Sequence, residues 1–136
     1  WDIKLFKIEG KTITLGQIEK GIVHHIWKDP RIYYSMSCAA ISCGNLLNVA
    51  FTAKNTDQLL EKNAINFINS NRAILAKHGP KIKISKMYKW YWSTLGGEEG
   101  ILTHLRKFSR GKVAKSLEGT IQIAGYDFNW DLNDTK

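Results

Sequence analysis

Residues 55–84 read NTDQLLEKNAINFINSNRAILAKHGPKIKI, and the fold class turns on them. Asn55 and Thr56 are both good helix caps, and behind them Leu59, Leu60, Ala64, Phe67, Ile68 and Leu75 trace an apolar helical face. That pattern predicts the longest helix of the chain, broken off by Gly79-Pro80. Lys81-Ile82-Lys83-Ile84 then alternates with period two, which predicts a strand with one wet face, its lysines suited to a sheet edge. Helix and strand follow one another without a regular βαβ repeat, so the class expected is α+β rather than a doubly wound sheet.

Working outward towards the N-terminus, the β-prone residues 3–8 and 11–14 flank Glu9-Gly10, where glycine can take the positive φ of a tight reversal, and predict a hairpin. Thr14 and Gln17 have capping-box spacing, and Leu15, Ile18, Ile22 and Ile26 form a helical stripe that should stop before Asp29-Pro30. Arg31 to Ser37 is short, aromatic and β-prone, hence an expected strand. It runs into Cys38-Ala39-Ala40-Ile41-Ser42-Cys43-Gly44-Asn45, whose small residues predict a close-packed bend. Towards the C-terminus, an aromatic run (Tyr88, Trp90, Tyr91, Trp92) leads to Gly96-Gly97. Glu98 to Phe108 is amphipathic, Val113 to Leu117 gives a shorter helix, and Thr120 to Ile123 a last strand. Tyr126 to Asn133 is a tail with aromatic anchors. The expectation is one domain over residues 1–136, a small mixed sheet with three to four helices.

The 136 residues, 43% hydrophobic and 24% charged, are ordinary for one globular domain, and no stretch approaches the ~18 apolar residues of a membrane helix. Disorder, collagen, coiled coil and a transmembrane segment are thereby excluded as readings. The net charge of +8 comes from lysines and arginines spread along the whole chain, which argues for a solvated basic surface and against a nucleic-acid partner. The chain opens at Trp1; removal of a signal peptide upstream would place the protein in the periplasm or outside the cell.

Cys38 and Cys43 are the most informative pair. Their spacing is neither a usual zinc form nor a thioredoxin form, and His24, His25, His78 and His104 fall in no ligand pattern, so no metal or other cofactor is expected. Three readings stay open: two buried small hydrophobes, a short-loop disulfide, or a thiolate nucleophile at the Cys43-Gly44 bend. A nucleophile needs a nearby cation or histidine. Arg31 is a candidate to supply positive charge or clamp a carboxylate, and Glu19 to orient or act as a base. His24 and His25 point about 100° apart on a helix, so at most one faces a site. Trp90-Tyr91-Trp92 would stack bases or sugars, or close a core.

The run Asp29-Pro30-Arg31-Ile32-Tyr33-Tyr34-Ser35-Met36-Ser37-Cys38-Ala39-Ala40-Ile41-Ser42-Cys43 closely resembles the bacterial and plant family catalogued as domain of unknown function 547. Leu15 to Ile22 with Ile18-Glu19, the stretch Ile84 to Tyr91, and Tyr126-Asp127-Phe128 with Leu132-Asn133 resemble its other elements, so the likeness covers essentially the whole chain. The family usually has His where this chain has Tyr33, and Pro where it has Gly44. It also normally begins with a helical segment that has no counterpart here, which implies an apolar face left for that segment or a partner chain. The resemblance keeps Glu19, Arg31, Cys38 and Cys43 and loses the side chain best suited to proton transfer, because a phenol of pKa near 10 does not replace an imidazole at neutral pH. As an enzyme it would be a cysteine-dependent hydrolase or acyl transferase with Cys43 as nucleophile. The alternatives are a non-catalytic module that binds a peptide or glycan through Tyr33, Trp90 and Tyr91, or a thiol–disulfide redox pair.

Overall fold

A computed structural model describes residues 1–134. Its elements follow in the order β1 (Lys4–Ile8), β2 (Lys11–Thr14), a helix α1, a 3-10 turn (Pro30–Tyr34), α2 (Thr56–Ile68), β3 (Ile74–His78), β4 (Lys81–Ser85), α3 (Met87–Trp90), α4 (Trp92–Leu95), α5 (Gly97–Phe108), α6 (Gly111–Ser116) and β5 (Gln122–Asp127). Helix α1 is a π-helical stretch over Gln17–Val23 that passes into an α-helical turn, His24–Ile26. Two sheets result: the antiparallel β1-β2 hairpin, and a mixed three-stranded sheet of order β3-β4-β5. The fold is α+β, with more and shorter helices than expected.

The sheet differs from its expected form for a local reason. Leu75 was expected to continue the helical face, but α2 stops at Ile68, where the Asn69 amide donates to the Ile65 carbonyl and the Ser70 hydroxyl to the Phe67 carbonyl. These short polar side chains close the helix end by competing for its last carbonyls. The chain then reverses into β3, and Gly79, at φ +59°, makes the turn into β4 instead of merely ending a helix. Strand β4 pairs antiparallel with β3 and parallel with β5, so Lys81 to Ser85 is the central strand and not an edge. Its lysines line the wet face, while Ile82 and Ile84 are fully buried beneath α2 and α5 side chains in the core. Each contributes roughly 1.5–3 kcal/mol of apolar burial.

Arg31 to Ser37 is likewise not a strand. Pro30 opens a 3-10 turn, and the Asp29 carboxylate accepts from the Arg31 backbone N–H at 2.9 Å, an N-cap that fixes helical geometry against the β-propensity of the aromatic residues. The turn buries Tyr33 and Tyr34, with Tyr34 against Phe67 of α2 and Tyr88 of α3. The capping box at Thr14 forms reciprocally, Thr14 N–H to Gln17 Oε1 at 2.9 Å and Gln17 N–H to Thr14 Oγ1 at 3.0 Å. The stripe behind it does not reach the core: Leu15, Ile22 and Ile26 are exposed, as are Ile3, Leu5, Phe6 and Ile8 of the hairpin. Among the described residues no helix is long and apolar enough to cross a membrane.

Candidate functional site

The 3-10 turn delivers the chain into the loop 38–45, where Cys38 and Cys43 are joined by a disulfide with their Cα atoms 5.8 Å apart. Of the three readings open for this pair, the bonded one holds. Both sulfurs are engaged with each other, so in this state neither is the free thiolate that acyl transfer requires. Cys43 is buried and Cys38 is partly open to solvent. Within the ring the Cys43 N–H bonds the Ala40 carbonyl at 3.0 Å, and Ala39 takes a left-handed φ of +59°. Immediately after it, Gly44 lies so close to the Tyr34 carbonyl that an added Cβ would overlap the oxygen.

The cation beside this loop is Arg72, not Arg31. Arg72 Nη1 donates to the Cys43 carbonyl at 2.9 Å and to Asn45 Oδ1 at 2.6 Å. Arg31 instead clamps three carboxylates: Asp29 through Nε and Nη2, Asp57 at 2.8 Å and Glu61 at 3.3 Å. These partners hold its pKa above the ordinary guanidinium value, with the Asp29 hydrogen bond the largest cause, and they fasten the 3-10 turn to α2. Arg31→Met should therefore act on stability. It leaves three carboxylates facing one another, and a loss of about 2 kcal/mol in urea unfolding is expected, smaller at low pH where they protonate.

The loop also carries the C-terminal segment. Ile41 N–H donates to the Asp131 carbonyl at 2.9 Å, Ser42 N–H to the Asn129 carbonyl at 3.2 Å and Asn133 N–H to the Ala39 carbonyl at 2.7 Å. The Ser42 hydroxyl accepts from Asn129 N–H at 2.8 Å. Trp130, held in this way, meets Phe128 at 4.5 Å and Trp90 at 5.7 Å between ring centroids. Trp90 thus belongs to an exposed aromatic group on the tail, away from Tyr33 and Tyr91.

Glu19, Tyr33 and Tyr91 do come together, and they include His24. The Tyr91 hydroxyl donates to Glu19 Oε1, the Tyr33 and Tyr91 rings stack with centroids 3.5 Å apart, and the His24 imidazole stands edge-on to both. His24 Nε2 is 3.7 Å from Glu19 Oε1. Burial lowers the His24 pKa, against the attraction of Glu19, and raises that of Tyr91, whose hydrogen bond to Glu19 adds to the effect. On an α-helix residues 19 and 24 would point about 140° apart. The π register, in which His24 N–H bonds the Glu19 carbonyl, puts them on one face, so the sequence periodicity concealed the pair. Among the described residues no three His, Cys, Asp or Glu side chains cluster closely enough to hold a metal ion.

The arrangement defines an α+β domain whose motif loop is closed by a short disulfide and buttressed by an arginine. Residues 1–68 match the family described as protein of unknown function, DUF547, and since they make up half of the chain, the chain belongs to that family. The match takes in the Asp29 to Cys43 run and Glu19 and ends with α2, at Ile68. No curated protein and no solved structure matches the chain.

Proposed function

We propose that the domain works as a thiol–disulfide couple, with Cys38 and Cys43 cycling between the bonded and the dithiol states. The observation that carries this reading is the closed Cys38–Cys43 bridge, with Cys38 partly open to solvent and Cys43 buried, its backbone carbonyl bonded by the Arg72 guanidinium. A low-molecular-weight thiolate attacks Cys38 Sγ, the S–S bond breaks, and its electron pair leaves on Cys43 Sγ. A second thiolate attacks the external sulfur of the mixed disulfide and expels Cys38. Two thiols are thereby oxidised to one disulfide, and their two protons end on Cys38 and Cys43. Positive charge favours the leaving thiolate, and a leaving thiol of lower pKa departs faster. Arg72, which bonds the Cys43 backbone carbonyl, is the cation assigned to that role in this reading; Arg31 is engaged by carboxylates elsewhere.

The acyl-transfer reading needs Cys43 free, and the Glu19–His24 pair hydrogen-bonded to it; neither of these side chains makes such a bond. Timed alkylation separates the two. Iodoacetamide added to the untreated protein should label neither cysteine, and after a mild thiol pulse it should label both, with Cys43 the faster at pH 6–7. A Cys43 that is alkylated before reduction, together with turnover of a simple ester, would favour the hydrolase. A second reading, ligand binding at Trp90, is favoured by one observation: Trp90 and Trp130 stay exposed while their rings pack, tilted, about Phe128.

A further inference from the structure

The loop closed by the bridge is also the dock of the C-terminal segment. Ile41 N–H donates to the Asp131 carbonyl and Ser42 N–H to the Asn129 carbonyl, while the Ser42 hydroxyl and the Ala39 carbonyl accept from the N–H groups of Asn129 and Asn133. Ala40 and Leu132 pair as an antiparallel bridge in the middle of this set. Four hydrogen bonds thus join residues 39–42, all inside the Cys38–Cys43 ring, to residues 129–133. Residues 129–134 are exposed, so little buried surface holds them, and such a segment is among the first parts of a fold to open. Upstream the chain is secured by other means. Asp127 ends β5 and its carbonyl accepts from Lys86 N–H, and Phe128 packs against the core. What the ring holds is therefore the chain from Asn129 onward, with Trp130 on it.

The ring itself is anchored at its margins and not along its length. At Cys43 the Arg72 guanidinium bonds the carbonyl at 2.9 Å, and the next residue, Gly44, lies against the Tyr34 backbone. On the approach to Cys38, Asn63 Nδ2 bonds Ser35 Oγ at 3.0 Å. Between these points, among the described residues, the backbone hydrogen bonds of residues 38–42 run only to the tail or to Cys43 within the ring. Ala39 sits at φ +59°, a left-handed value unfavourable to a residue with a Cβ. The covalent bridge removes most of the alternatives open to so short a loop and so keeps its donors and acceptors aligned. Resting on the thiol–disulfide reading above, we propose that the bridge is a latch for the C-terminal segment. Closed, it holds residues 129–133 docked; opened by the exchange already written, it lets Ala39 relax and the segment leave. Trp130 then parts from Phe128 and Trp90, so the exposed aromatic group is assembled in the bridged state alone.

The test compares amide hydrogen exchange, peptide by peptide, in the full chain before and after reduction by a small thiol, with intact mass identifying each form. Reduction should speed exchange in residues 129–133 by about tenfold or more and leave α2, β4 and α5 within about twofold. The double variant Cys38→Ser/Cys43→Ser should show the same fast tail with no reductant present. Linkage demands the reverse effect as well: if closing the bridge tightens the tail, loosening the tail must favour opening the bridge. Asn133→Pro, which removes the donor to the Ala39 carbonyl and touches neither sulfur, should ease reduction about fivefold, an upward shift of about 20 mV in midpoint. A tail equally protected in both forms, or a midpoint unmoved by Asn133→Pro, would overturn the latch with the redox couple intact. Exchange that rises in α2 and β4 along with the tail would overturn it too, since the whole fold would then be opening. A bridge that stays closed in every thiol buffer would overturn the couple itself, and the latch as a switch with it.

Discussion

Gly44→Ala is expected to destabilise the fold by about 3 kcal/mol, more than a typical surface change by a wide margin. An added Cβ would overlap the Tyr34 carbonyl oxygen and lie 3.0 Å from its carbon, and both are backbone atoms. No rotamer change relieves such a clash. Either the Cys38–Cys43 ring or the 3-10 turn must move, and each is fixed from two sides. Tyr34 is sealed against Phe67 and Tyr88, while the ring holds the tail through Asp131 and Asn129. The loss should show as a lower urea midpoint with little change in slope, and as quenching changes in Trp130 fluorescence if the ring is what yields. An unchanged midpoint would mean that the close approach at Tyr34 is not as described.

Acidification should weaken the fold well above the carboxylate range. His104 lies buried in α5 between Tyr34 and Phe108, its Nε2 without a hydrogen-bond partner. Burial is the main cause that pushes its pKa down to about 4; Lys107 and Arg31 act in the same direction and Asp29 opposes them. The folded value lies below the unfolded one of about 6.5, so the unfolded chain takes up the proton first. Stability is therefore fully present above about pH 6.5, falls as pH drops towards 4, and has lost on the order of 3 kcal/mol below that. The half-buried His24, also shifted down, adds to the same slope. Urea unfolding at pH 7.5, 5.5 and 4.5 measures it. His104→Leu should flatten most of the slope; a slope unchanged in that variant would assign it to other groups.

Legibility in the sequence followed the range of the interactions. Thr14 and Gln17 act three residues apart, and their capping box was readable as a motif. The α+β class and the Gly97–Phe108 helix rested on periodicity, which survives tertiary context when an apolar face is long and regular. The β3 strand was hidden because Leu75 continued the helical spacing of α2, and only the polar side chains of Asn69 and Ser70 show why the helix ends first. Glu19 was singled out, but its partner His24 was not, because the π register that unites them changes the angular spacing on which helical reading depends. Arg31 was chosen as the cation nearest the cysteines in sequence. The one that bonds the Cys43 backbone carbonyl is Arg72, 29 residues further on, and no local pattern announces a contact of that separation.

The most direct test of the redox couple is an equilibrium titration of the untreated chain against thiol–disulfide buffers of graded potential, read as intact mass. The account predicts one reversible two-electron transition between the bridged form and the dithiol, with a midpoint above about −300 mV. Cysteines already free before any reductant is added, or a bridge that stays closed below that potential, would contradict it.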